Sequence, residues 1–307
     1  MEKIHRLKTI KDFHRSRGLP DPEHPLVSVV DYGSISHHKI SEQKVNWVFD
    51  FYSIGLKRIS SAKVKMKYGQ QEYDFDAGTM FFIAPNQVFN ILVDADQSST
   101  YTGTILLIHP DFLYGTPLSK NMRQYDFFDY ATNEALFLSN KEESIMNNIF
   151  QHIQVEYHTN IDRYSQHIII SQIETLLNYS ERFYNRQFIT RKGNSHHLLS
   201  KLETVLDIFF TDDHLLGNGL PTVQQVSEDM SLSVNYLTRM LKVLTGKTTQ
   251  QHIHDRLIEK AKEKLSTSEL SVSEIAYGLG FEHSQSFSKL FKNKTNQSPL
   301  EFRHSFN

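Results

Sequence analysis

Between Leu26 and Pro110 the chain alternates short apolar runs, rich in Val, Ile, Phe and Tyr, with clusters of Gly, Asp, Asn and Ser. Runs of that length bounded by turn formers predict strands, and several in succession predict an antiparallel sandwich or barrel. Asp76-Ala77-Gly78, with strand-like segments on both sides, predicts a hairpin turn. The residues before this region read as an irregular lead-in, because Gly18, Pro20, Pro22 and Pro25 interrupt regular elements. Beyond a loop-rich stretch after Pro110 the spacing becomes helical. Ser139 precedes Ile145, Ile149, Ile153 and Tyr157, and a second stripe follows at Ile168, Ile169, Ile173, Leu176, Leu177 and Tyr179. Two amphipathic helices joined around Thr159-Asn160 must bury these stripes, either on the sheet of their own chain or against a second copy. Residues 191–197 are polar and lack periodicity, which predicts a linker. From Leu198 the pattern is helical to the end, with a break at residues 217–221.

The last hundred residues say the same thing twice. Val223, Val226 and Met230 mark one short helix, Ser233 is placed to cap the next, Leu237, Leu241 and Leu244 bury it, and Gly246 closes it. Val272, Ile275, Ala276 and Leu279 mark the second copy, Gly278 and Gly280 permit a tight turn, and Ser284 suits an N-cap. Phe287, Leu290 and Phe291 then form a buried stripe, and Pro299 starts a last short helix. Leu237 and Phe287, Lys242 and Lys292, Thr245 and Thr295, and Thr248 and Ser298 all stand 50 residues apart. Ile253, Leu257, Ala261 and Leu265 make one face of a connecting helix between the copies. Paired short helices with a tight turn describe a helix-turn-helix, here duplicated.

On each second helix the positions opposite the buried stripe carry hydrogen-bonding or cationic side chains. By the 50-residue offset Asn235 matches Gln285, Thr238 matches Ser288, Arg239 matches Lys289 and Lys242 matches Lys292. Asn and Gln can bond adenine bidentately, and Arg or Lys can bond guanine or phosphate. These eight residues are the candidate DNA-reading set; a solvated helix face or simple phosphate contact is the plainer alternative for each. Charge supports the first reading. Residues 233–264 hold seven basic residues against three acidic ones, and residues 284–307 hold four against one, although the whole chain sums to −2. Positive charge gathered around two helices and hidden by a near-neutral total is the footprint of a protein that touches phosphates.

Composition narrows the setting. A chain of 307 residues has room for two or three units with their own cores. It contains no cysteine, which removes disulfides and thiolate metal sites and suits a reducing cytoplasm. The basic N-terminus lacks the apolar segment of a signal peptide, and no run approaches the ~20 apolar residues of a membrane span. A cytoplasmic protein with no membrane partner is therefore expected.

The second copy resembles the signature of AraC-family transcription regulators at Ile275-Ala276, Leu279-Gly280-Phe281, Phe287-Ser288, Leu290-Phe291-Lys292, Ser298-Pro299 and Phe302-Arg303. Asn296 stands where the family usually has glycine, and Ser227 where it prefers alanine. The resemblance implies an α+β multidomain chain: an N-terminal cupin-like antiparallel β-barrel with a helical hairpin, then an all-α domain with two helix-turn-helix motifs. It divides the chain into a sensor over residues 1–139, a dimerisation hairpin over 140–190, a linker over 191–197 and a DNA-binding domain over 198–307. It further implies a homodimer on double-stranded DNA, contact with RNA polymerase as an activator, and a small-molecule effector in the barrel. The segment around Pro85 is similar to the cupin segment that precedes metal-binding histidines, but Asn86 and Gln87 follow the proline here. Neither His37-His38 nor His109 restores a ligand spacing, so no metal, cofactor or catalytic residue is expected. The aromatics between Trp47 and Phe89 either line a ligand cavity or fill a core. Two rival readings stay open: a cupin-type enzyme with a structural helical tail, and a barrel that serves only to dimerise.

Overall fold

The computed structural model describes residues 4–35, 45–60, 66–68, 71–73, 78–91, 100–131, 134–159, 162–190, 192–211, 215 and 219–305. The histidine pair His37-His38 and the turn residues Asp76 and Ala77 lie outside them. The chain divides into two compact units, residues 1–187 and 188–307, the first rich in sheet and the second helical.

The first unit corrects the reading of the lead-in. Strand β1 (Ile4–Leu7) pairs in parallel with β3 (Val45–Phe49), and helix α1 (Ile10–Arg17) follows directly. Thr9 and Asp12 form a capping box, each side chain accepting from the other's backbone N–H at 3.0 Å, and Gly18 at φ 71° ends the helix. Its buried residues are Ile10, Phe13, His14 and Arg17, of which only the first two are apolar. Two apolar residues are too few to register as periodicity.

Five strands make the larger sheet, in the order β10 (Leu136–Phe137), β7 (Thr79–Ile83), β4 (Tyr52–Ser60), β9 (Thr100–Ile108), β2 (Val27–Asp31). A smaller sheet orders β1, β3 and β8 (Val88–Ile91), and β5 (Met66–Tyr68) pairs with β6 (Gln71–Tyr73). Among the described residues the expected barrel is not closed. The sheets keep their own edges and share an apolar cluster, in which Ile105 and Leu107 of the larger sheet join Phe49 and Phe89 of the smaller, Phe51 from the bend between β3 and β4, and Ile10 and Phe13 of α1. Strand alternation sends the intervening residues to the opposite face. There Tyr52 packs edge-on against Phe128, Phe82 meets Phe127 at 4.5 Å, and Arg58 pairs with Glu143 at 2.8 Å.

Between β9 and β10 the chain makes the short helix α2 (Leu118–Asn121). The predicted hairpin is present as α3 (Asn140–Tyr157), capped by Ser139 and Glu142, and α4 (Ser165–Thr190). Ile149, Ile153, Ile173, Leu176 and Leu177 are buried within the single chain, so the stripe packs on its own unit. Ile168, expected in that stripe, is exposed. Residues 192–197, read as linker, are helical and belong to α5 (Lys192–Phe209). Their polar run lacks a stripe, but Lys, Asn, Ser and His are all tolerated in a helix. No helix among the described residues is long and apolar enough to cross a membrane.

The second unit shows the duplication in detail. The first copy is α6 (Val223–Met230) and α7 (Val234–Thr245), the connector is α8 (Thr249–Thr267), and the second copy is α9 (Val272–Gly278) and α10 (Ser284–Thr295), followed by α11 (Pro299–His304). Capping boxes start α6 at Thr222 with Gln225 and α9 at Ser271 with Glu274. Others start α8 at Thr248 with Gln251 and α11 at Ser298 with Glu301. Thr245 and Thr295 each donate to the carbonyl four residues back, at 2.8 Å, and accept from the backbone two residues on. Gly246 at φ 76° and Asn296 at φ 61° end the second helices in the left-handed conformation, which asparagine tolerates better than most residues. At the start of the unit Phe188 packs edge-on against Tyr236 at 5.1 Å.

Candidate nucleic-acid interface

Each second helix is fixed from beneath. Tyr236, Leu237, Met240 and Leu241 bury one face of α7, and Phe287 and Phe291 bury one face of α10. Phe287 packs on Phe281 and Phe291, and Phe291 on Phe302. The stiff element between them is α8, whose Ile253, Leu257, Ala261 and Leu265 are all buried. Leu244 and Leu290 lie at the margin, half-buried.

Of the eight candidate reading residues, six stand where the pattern put them. Asn235, Lys242, Gln285, Lys289 and Lys292 are exposed, and Arg239 is half-buried. Asn235 and Arg239 engage other residues of the chain. Thr238 and Ser288 are turned partly inward, both half-buried. The Thr238 hydroxyl lies 3.0 Å from that of buried Thr249, tying α7 to α8. Its counterpart Ser288 faces a position where Pro299 replaces Thr249. Ser286, which the pattern passed over because its partner Tyr236 is apolar, is exposed beside Gln285 and joins the candidate surface.

The N-termini of the two helices differ. Ser233 accepts from Tyr236 N at 3.3 Å, as expected of a cap. At the second helix the cap position falls on His283, with no side-chain bond, and Ser284 is already helical. The position is equivalent in the two copies, Ser233 and His283 standing 50 residues apart, so the difference lies in the side chain; the turn before it also holds one extra residue. Thr222, Gln225 and Ser227 of the first copy match Ser271, Glu274 and Ala276 at an offset of 49, whereas residues after the turn match at 50.

Ion pairs sort the positive charge. Lys247 and Lys294 both bind Asp255 at 2.8 Å, and Arg256 is held by Asp207 and Glu259. Lys260 pairs with Glu263 at 3.0 Å. Partial burial works against the Asp255 charge, but hydrogen bonds from the two lysines outweigh it and hold the carboxyl below its usual pKa. His252 and His254 are pushed down by burial and by the nearby lysines Lys247 and Lys294 respectively, so α8 gains no charge from them at neutral pH. Lys242, Lys289 and Lys292 make no ion pair among the described residues. Lys262 of α8, over the Phe302 ring at 5.7 Å, makes none either, so cations left for an outside anion stand on α7, α8 and α10.

In the first unit the residues after Pro85 are structural. Asn86 at φ 66° accepts from Arg6 at 2.7 Å, and Gln87 bonds Ala84 N at 2.9 Å and the Tyr130 carbonyl at 3.1 Å. His109 caps a helical turn by accepting from Asp111 N at 3.3 Å. No cluster of His, Cys, Asp and Glu suited to a metal occurs among the described residues.

Residues 226–305 match the family described as a helix-turn-helix domain. Over 78 residues the chain is 44% identical to the HTH-type transcriptional activator RhaS of Escherichia coli O139:H28 (strain E24377A / ETEC). It is 42% identical to that of Escherichia coli (strain K12 / DH10B). Each match covers 25% of this chain and 28% of the relative, so the chain spans little more than a quarter of those proteins' length. Among solved structures it is similar to the C-terminal domain of the two-component response regulator yesN from Fusobacterium nucleatum subsp. nucleatum ATCC 25586. That likeness has 31% identity over 30% of this chain and 93% of the other, at a TM-score of 0.26. The C-terminal domain of AraT, a response regulator from Geobacillus stearothermophilus, matches at 28% identity over 35% of this chain and 84% of the other, at a TM-score of 0.30. The C-terminal region is thus a helix-turn-helix domain of the AraC type, homologous to the matching part of RhaS.

Proposed function

We propose that the chain is a sequence-specific transcription regulator that binds double-stranded DNA as a homodimer. In this reading α7 and α10 enter successive major grooves, about one helical turn of DNA (~34 Å) apart, as paired helix-turn-helices do. Arg239 and Gln285 read bases, Lys242, Lys289 and Lys292 hold phosphates, and Asn235 and Ser286 flank them. Residues 1–187 sense a small molecule, and ligand binding shifts how two chains present their helices to DNA and to RNA polymerase. Such control requires that the ligand bind one arrangement better than the other. By analogy with the relatives' description as activators, the outcome is activation. The observation that carries the proposal is the charge on the two second helices: Lys242, Lys289 and Lys292 make no ion pair among the described residues, while Lys247, Arg256, Lys260 and Lys294 are held by carboxylates.

Selecting sites from random DNA with wild type and single variants tests it. Arg239→Ala should weaken the selected site by about 1–3 kcal/mol and relax one base pair. Gln285→Ala should relax a position about one turn away. Lys292→Ala should weaken all sequences alike and reduce the salt slope by about one unit. Identical selected sites for wild type, Arg239→Ala and Gln285→Ala would show that these helices do not read bases.

A further inference from the structure

The first unit buries a cation that has no anion beside it among the described residues. Arg17, the last residue of α1, is only 4% exposed. Among the described residues no carboxylate pairs with it and no carbonyl accepts from it. Its guanidinium instead lies over the Trp47 ring, 4.8 Å from the centroid, and 5.6 Å from that of Phe13. Those contacts supply no hydrogen-bond acceptor for its five N–H donors. The donors around it are in the same position. Trp47 Nε1 is buried with no hydrogen-bond partner. Tyr32 is half-buried, and desolvation pushes its hydroxyl up to about 12, so it stays protonated and able to donate. Gly55 leaves room for that hydroxyl, since a Cβ there would lie 2.8 Å from it. Lys57 stands over the Tyr32 ring at 5.9 Å. Burial pulls both Arg17 and Lys57 down, Lys57 to about 8.

An uncompensated buried guanidinium is strongly unfavourable, and native structures hold one where an anion completes it. We propose that Arg17, Trp47 and Tyr32 form the binding site of a small organic carboxylate. Arg17 takes the carboxylate oxygens through its fork, and the indole N–H and the phenol donate to the same group. The surroundings choose between anions. Leu7, Leu19, Phe49 and Phe51 pack around these residues and suit an apolar body, and a single carboxylate charge matches a single arginine, whereas a phosphate dianion would bring a second charge into an apolar cluster. This names the chemical class of the small molecule invoked above and rests on that regulatory reading only in calling the ligand an effector.

Trp47 is the only tryptophan in the chain, so its emission reports the site without a label. Full-length protein is titrated at constant ionic strength with sodium benzoate, sodium acetate and sodium phosphate, following emission and thermal melting. Benzoate should shift the emission saturably and raise the melting temperature by mass action, acetate should do so more weakly, and phosphate should do neither. Arg17→Met keeps the stem and removes the fork; benzoate should bind it at least about 30-fold more weakly, as losing one side of a desolvated charge pair dictates. Without ligand Arg17→Met should melt above wild type, because the uncompensated charge is gone. If that variant does not fold, Arg17→Lys, which keeps charge without the planar fork, should show the same loss of benzoate binding. Three results overturn the site: no saturable response to benzoate or acetate, a preference for phosphate, or an undiminished benzoate response in the variants. The regulatory reading is tested separately, by measuring affinity for a selected DNA site with and without benzoate. A bound benzoate that leaves DNA affinity unchanged overturns that reading and keeps the site.

Discussion

Ser227 is enclosed to 1% exposure on α6, and its hydroxyl meets no partner among the described residues. A buried hydroxyl without a hydrogen bond costs about 1–3 kcal/mol relative to its solvated state. The second copy holds Ala276 at the matching position, fully buried and unstrained. Ser227→Ala should therefore stabilise the helical unit by about 1 kcal/mol, read as a higher urea midpoint at unchanged slope. A lower midpoint would mean that the hydroxyl has a partner. Ser227 was legible in the sequence because it interrupts an apolar stripe that its own repeat completes. Thr238 was not. A threonine between the core and the surface carries no hydrophobic signal, and its bond to Thr249 depends on how α7 crosses α8. That bond ties α7 to α8 through Thr238, while Pro299 at the position matching Thr249 offers Ser288 no hydroxyl for the same tie.

The turn of the second copy is where backbone geometry decides. Gly280 has φ 85°, and a Cβ there would lie 2.8 Å from Leu220 N and 2.9 Å from the Gly219 Cα. Gly278, two residues earlier, is the last residue of α9 and faces open space. Of the two glycines that the sequence offers for this turn, only Gly280 is required. Gly280→Ala should destabilise the unit by more than about 2 kcal/mol, since left-handed strain and backbone overlap add. Gly278→Ala should be neutral or stabilising by up to about 1 kcal/mol. Thermal melts of both variants check the pair, and equal effects would contradict this geometry. The helices themselves were legible because each buries a stripe at regular spacing and the repeat prints it twice. The cap at His283 was hidden because histidine is a poor capping residue and Ser284 beside it is a good one, although the 50-residue offset from Ser233 points to His283. Strand β1 and helix α1 were hidden for a different reason: they are short, nearly polar, and held by pairing with residues 40 or more positions away.

Joining two copies through the hairpin requires apolar residues that one copy leaves exposed. Ile149 and Ile173 do not qualify, at 6% and 0% exposure, and a charge at either would break the core of the first unit itself. Val155, Tyr164 and Ile168 do qualify, all of them near the turn between α3 and α4 and exposed by 43% or more. A dimer that covers this end of the hairpin should be lost in Ile168→Glu while the fold is kept. Sedimentation equilibrium should show a wild-type dimer and a variant monomer at micromolar concentration, with the same melting transition. Ile149→Lys, in contrast, should lose the cooperative transition altogether. DNA binding supplies a second readout, because two linked domains gain about 10²–10⁴-fold in avidity over one. Ile168→Glu should forfeit that gain on DNA carrying two selected sites and bind a single site as wild type does. A wild-type monomer, or an Ile168→Glu dimer, would place the interface elsewhere.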